Sequence, residues 1–113
     1  MNDTLKQTLK LLPSLPGCYI YYNKEGEVIY VGKAKILKRR VMSYFNRKHD
    51  RIKVDILVSQ IERMEYIITN TEVEALILES HLIKKYKPKY NVLLKDDKKY
   101  PYFLITDCSQ KKS

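Results

Sequence analysis

The sequence predicts a single αβ domain opened by a β-hairpin, and three observations predict it. Two runs of β-prone residues, 18–22 and 27–31, bracket the turn sequence Asn23-Lys24-Glu25-Gly26. Helical spacing of apolar residues follows at about 35–46 and again at about 51–60. Thr71-Glu72-Val73-Glu74 then reads as a capping box, with Thr71 as N-cap and Glu74 at the third helical position. The length of 113 residues suits one domain, and 44% hydrophobic with 31% charged residues is ordinary for a globular chain.

In chain order, residues 2–12 are expected to form a short helix ended by Pro13, and Pro16-Gly17 introduces the first strand. A four-residue loop at 23–26 places Tyr22 opposite Glu27 and Tyr19 directly opposite Tyr30. Both rings then point to one face, with Gly17 and Gly32 leaving open space beside them. A third strand is expected over 63–69. The capped helix is expected to run to about Tyr86 and to stop ahead of Pro88. Beyond it, residues 90–94 and 102–105 read as short extended pieces, and the closing Ser-Gln-Lys-Lys-Ser as a frayed end.

A net charge of +9 points to a polyanionic partner, and its distribution sharpens this. Lys33, Lys35, Lys38, Arg39, Arg40, Arg47 and Lys48 form a block without an acid. A second block, from Lys84 to Lys99, holds seven lysines against two aspartates. Tyr44, Phe45, Tyr86, Tyr90, Tyr100 and Tyr102 interleave these blocks, as a groove that pairs phosphates and stacks bases requires. No apolar run approaches the ~20 residues of a membrane span. The N-terminus lacks the basic and apolar regions of a signal peptide, so a cytoplasmic location is expected. Cys18 and Cys108 form no disulfide framework, and with two histidines no zinc site is expected.

Two charged residues stand out of pattern. On the basic helix, Ile36, Leu37, Val41, Tyr44 and Phe45 share one arc, and Arg40 falls inside it. An arginine there needs a partner, either a phosphate or a structural carboxylate. On the capped helix the apolar arc holds Ala75, Leu76, Leu78, Leu82, Ile83 and Tyr86, with Glu79 in its middle. Burying that carboxylate costs several kcal/mol unless it is paired, for example with Arg40 or Lys33, or binds a cation. His81 lies on the polar face. Composition and spacing stop at a basic, aromatic-rich αβ domain with these two anomalies.

The same positions resemble the GIY-YIG nucleases. Gly17-Cys18-Tyr19 matches the first signature element and Tyr30-Val31-Gly32 the second, with Cys18 in place of the usual aliphatic residue and Val31 in place of isoleucine. The likeness continues through Lys33-Ala34, Arg40, Tyr44 and Leu78-Glu79. From Leu82 through Pro88-Lys89-Tyr90-Asn91 to Tyr100-Pro101 it is specifically similar to the UvrC-type members. His81 departs from an asparagine common in the family. The resemblance covers about residues 12–105, implying a nuclease domain over 1–105 and a tail or truncation point over 106–113.

The resemblance implies an α+β fold, a small central antiparallel sheet flanked by helices. It also implies hydrolysis of one DNA strand, the 3′ incision of nucleotide excision repair. Glu79 would be the protein ligand of a single divalent cation, Mg²⁺ or Mn²⁺. Tyr30 would act as general base towards water or orient it, with Tyr19 nearby. Because an ordinary tyrosine titrates near pH 10, Lys33 would assist Tyr30 electrostatically. Arg40 would stabilise the phosphate in the transition state. Tyr44 would bond a phosphate oxygen or support its neighbours, and Asn91 would tie the loop after the long helix to the site. The implied partners are DNA and, through regions absent here, a UvrB–DNA complex, with the domain itself monomeric. Two other readings stay open: a stand-alone or differently targeted GIY-YIG nuclease, and a non-catalytic nucleic-acid-binding module on the same fold.

Overall fold

A computed structural model of the chain describes residues 2–46 and 52–94. Its elements are α1 (Asp3–Lys10), β1 (Gly17–Tyr22), β2 (Val28–Ala34), α2 (Leu37–Asn46), α3 (Ile52–Gln60), β3 (Arg63–Ile68), α4 (Glu72–Tyr86) and α5 (Lys89–Leu94). The strands form one antiparallel sheet in the order β2-β1-β3. The α+β architecture implied by the resemblance is therefore present. The expected pieces at 102–105 and the tail at 106–113 lie outside the described residues.

The hairpin departs from its expected register twice, in the same sense. Asn23 N–H donates to the Glu27 carbonyl at 3.0 Å, so the loop closes one residue later than expected. The Asn23 side-chain oxygen accepts from the Glu25 and Glu27 amides, and Gly26 takes the left-handed φ of 81° that this tight loop requires. A register shift between Tyr21 and Tyr22 adds a second residue to β2. Tyr30 therefore pairs with Tyr21, and Tyr19 pairs with Gly32. One slip would have turned Tyr30 to the other face; two slips restore it.

The space beside the tyrosines is not open, as the sequence reading had it. A Cβ on Gly32 would run into the Tyr19 phenol, so the missing side chain is where that ring lies. Tyr19 and Tyr21 are fully buried on this sheet face. Leu5 and Leu9 of α1, Leu37, Val41 and Tyr44 of α2, and Val54 and Leu57 of α3 complete the core over it. The opposite face is covered by α4, which approaches closely through the small Ala75; the buried Cys18 thiol donates to its carbonyl at 3.0 Å.

The segment after α4 corrects a further expectation. Residues 90–94 are helical rather than extended. Lys87 adopts a left-handed φ of 46°, its N–H caps Ile83, and Pro88 precedes the first turn of α5. Tyr90 and Leu94, four residues apart, are buried together, whereas Val92 is exposed. In so short a window the alternation of Tyr90, Val92 and Leu94 mimics a strand equally well.

Candidate active site

The tyrosine face gathers four phenols. Tyr19 lies 6.3 Å from Tyr30 and 5.8 Å from Tyr44, ring centre to ring centre. Tyr30 and Tyr44 are 6.3 Å apart, so β1, β2 and α2 each contribute to one cluster. Tyr21 is the member that sequence reasoning missed, although two-residue spacing puts it on the face of Tyr19. Its ring stands 5.3 Å from Tyr19, 6.1 Å from Tyr30 and 5.5 Å from Tyr44.

Arg40 gives this cluster a direction. Its Nε faces the Tyr19 hydroxyl at 3.4 Å, and Tyr19 and Tyr44 share a hydrogen bond of 3.0 Å. A guanidinium only donates, so Tyr19 accepts from it and can pass its own hydrogen to Tyr44. The guanidinium also sits 5.9 Å from the centre of the Tyr44 ring. Arg40 is partly exposed, and its partners are phenols instead of the carboxylate one would expect for a structural pair. The adjacent Tyr19 raises the Arg40 pKa further, so the side chain is a permanent cation. Burial pushes Tyr19 well above its ordinary pKa, with Tyr44 and Tyr21 adding to the shift and Arg40 opposing it; Tyr19 therefore acts as a neutral hydroxyl.

Asn91 holds the outer edge of β2. Its Oδ1 accepts from the Val31 N–H and its Nδ2 donates to the Val31 carbonyl, both at 2.9 Å. One side-chain amide thus replaces a neighbouring strand at the residue between Tyr30 and Gly32. The side chain comes from α5 rather than from a loop, and its contact is with backbone.

Glu79 projects from α4 towards the end of β2 and is half-buried. Burial raises its pKa; the Lys33 charge, the approaching Lys33 backbone N–H and, more weakly, Arg40 oppose the shift. The carboxylate is thus incompletely compensated by the protein, as a cation ligand would be. Lys33 itself points to the α4 side of the sheet, where its ammonium pairs with Glu72 at 3.2 Å. Its charge acts on Glu79. Glu72, in the first turn of α4, is the partner that positions it. Burial and then the Glu79 charge push the Cys18 thiol up to about 11, so Cys18 is a structural donor. His81 is exposed, as expected.

On α4 the apolar arc is shallower than its periodicity implies. Ala75 alone is buried, Leu78, Leu82 and Ile83 are half-buried, and Leu76 and Tyr86 remain 46% and 40% exposed. Among the described residues no three His, Cys, Asp or Glu side chains converge. Glu79 therefore offers a cation one carboxylate, and a hard ion such as Mg²⁺ commonly completes such a shell with water.

Glycine-tyrosine pairs on two joined strands, with arginine and tyrosine from the next helix and glutamate from a later one, define a GIY-YIG domain. A model of the UvrC-like GIY-YIG domain matches residues 15–92. UvrABC system protein C from Thermoanaerobacter sp. (strain X514) is 59% identical over 104 residues, covering 91% of this chain and 17% of that protein. Its counterpart from Streptococcus pyogenes serotype M5 is 56% identical over 109 residues, covering 96% of this chain and 18% of that protein. The chain thus spans less than a fifth of the curated relatives it matches. The magnesium-bound GIY-YIG N-terminal endonuclease domain of UvrC from Thermotoga maritima superposes with a TM-score of 0.71 at 44% identity, covering 80% of this chain and 99% of that one. A point mutant of the same domain, with a tyrosine changed to phenylalanine and its catalytic divalent cation bound, gives a TM-score of 0.71 at 43% identity, over 80% and 98% of the two chains. The chain belongs to the UvrC-like GIY-YIG family.

Proposed function

We propose that this chain is a divalent-cation-dependent endonuclease domain that hydrolyses a phosphodiester bond in one DNA strand. The observation that carries the reading is the position of Arg40, coupled at once to the Tyr19–Tyr44–Tyr30 cluster and to the incompletely compensated Glu79. A phosphate placed between them meets a permanent cation on one side and phenol oxygens on the other. Arg40 stabilises the charge that grows on the phosphorane oxygens. Tyr30, as its phenolate, takes a proton from the attacking water and becomes the neutral phenol, or as the neutral phenol orients that water, and Tyr44, supplied by Tyr19, donates to a phosphate oxygen. Glu79 would hold one Mg²⁺ or Mn²⁺, which would supply Lewis acidity at the scissile phosphate. Asn91 positions Tyr30 by fixing Val31, and Lys33 limits the charge repulsion between Glu72 and Glu79.

The magnesium-bound Thermotoga relative supports the cation, and the names of the longer relatives support a place in a UvrABC system. Within that reading the cut is the 3′ incision of nucleotide excision repair, and contact with a UvrB–DNA complex is made through regions beyond this domain. The domain acts as a monomer in the cytoplasm, and no helix among the described residues is long and apolar enough to cross a membrane. Conversion of supercoiled plasmid to nicked circles with Mg²⁺ or Mn²⁺, and not with EDTA, tests the activity. DNA binding without any metal-dependent nicking would instead identify a binding module.

A further inference from the structure

The Tyr21 hydroxyl is unaccounted for by this chemistry. The side chain is 0% exposed, and its oxygen has no hydrogen-bond partner among the described residues. Leaving a buried hydroxyl unpaired is unfavourable, because its lost contact with water is not replaced. Phenylalanine would fill the same space without that cost, and its ring would make the same contacts with Tyr19, Tyr30, Tyr44 and Phe45. The ring explains an aromatic residue at this position; it does not explain the oxygen.

We propose that Tyr21 is a positioning residue for cleavage, whose hydroxyl donates to the phenol oxygen of Tyr30 when substrate and cation occupy the site. Several observations converge on that role. Tyr21 sits directly across the hairpin from Tyr30, with the rings 27° from parallel. After burial, the groups acting most strongly on its oxygen are Tyr44 and then Tyr30. Burial holds the Tyr21 phenol well above its ordinary pKa, so the group stays protonated and serves as a donor. Donation fixes the C–O rotor of Tyr30 and with it the direction of the lone pair presented to the attacking water. No bond forms or breaks at Tyr21.

This inference rests on the nuclease reading, and Tyr21→Phe tests it through three readouts. Under single-turnover conditions with Mg²⁺ and saturating duplex, the cleavage rate constant should fall at least tenfold. Duplex affinity should stay within twofold of the parent, and the melting temperature should be equal or higher. With tyrosine labelled by ¹³C at Cζ, adding Mg²⁺ and duplex should move the Tyr30 signal in the parent and much less in Tyr21→Phe. An unchanged rate together with an unchanged Tyr30 response would overturn the proposal, as would a fall in melting temperature that accounts for the lost rate. Failure of the parent to cleave would remove the nuclease reading. The labelled spectra would still decide whether Tyr21 donates to Tyr30.

Discussion

Replacing Tyr30 by phenylalanine removes one oxygen and keeps a ring that packs against Tyr19, Tyr21 and Tyr44. Tyr30→Phe should therefore lose cleavage by orders of magnitude while its circular dichroism and duplex affinity stay near the parent's. Near-parental cleavage would transfer the role to Tyr19 or to hydroxide from solvent. Asn91→Ala should act differently, because it strands the N–H and carbonyl of the fully buried Val31. A destabilisation of about 1–3 kcal/mol is expected in denaturant titrations, together with slower cleavage. Asn91→Asp keeps the acceptor for the Val31 N–H and loses the donor, so it should not rescue the parent's stability. At this scale the sequence exposes Glu79 as an anomaly because a helical wheel needs only one chain segment. It does not expose the Lys33–Glu72 pair or the Asn91 clamp, since each joins residues far apart whose directions depend on a finished sheet.

Most elements were legible in the sequence, and α4 shows why. Thr71 accepts from the Glu74 N–H at 3.1 Å, as the capping box predicts, although the Glu74 carboxylate reaches back to Asn70 N–H. Thr71→Ala should lower stability by about 1 kcal/mol, visible in thermal melts. Helix caps and proline stops are local chemistry, so the start of α4 at Glu72 and its end at Tyr86 were readable from the chain alone. Strand pairing is less local. The longer loop and the added residue in β2 depend on the side chain of Asn23, the left-handed φ of Gly26 and a register shift, and the alternating pattern is blind to a shift of two. The helix at α5 was misread because five residues support either period.

Across the whole molecule, the charge of +9 and its two basic blocks would make the proposed association with DNA electrostatic. Affinities for unrelated duplexes should fall together as salt rises, with a log–log slope of about −0.9 for each phosphate contacted. Strong sequence preference surviving high salt would contradict that picture. On the proposed assignment folding and cation binding are linked through Glu79, whose carboxyl titrates higher in the fold than in the unfolded chain. The protonated form is therefore the one folding favours. Its contribution is present at acid pH and lost as pH rises through the folded pKa. Glu79→Gln removes both this pH dependence and the site's charge. The most direct measurement is thermal melting of the parent and Glu79→Gln across a Mg²⁺ or Mn²⁺ titration near neutral pH. The parent's melting temperature should rise with cation by mass action. Glu79→Gln should match or exceed the parent without metal and should show no rise. A loss of roughly 3–5 kcal/mol without metal, the signature of a broken structural ion pair, together with an undiminished rise on adding cation, would contradict the assignment of Glu79 as the metal ligand.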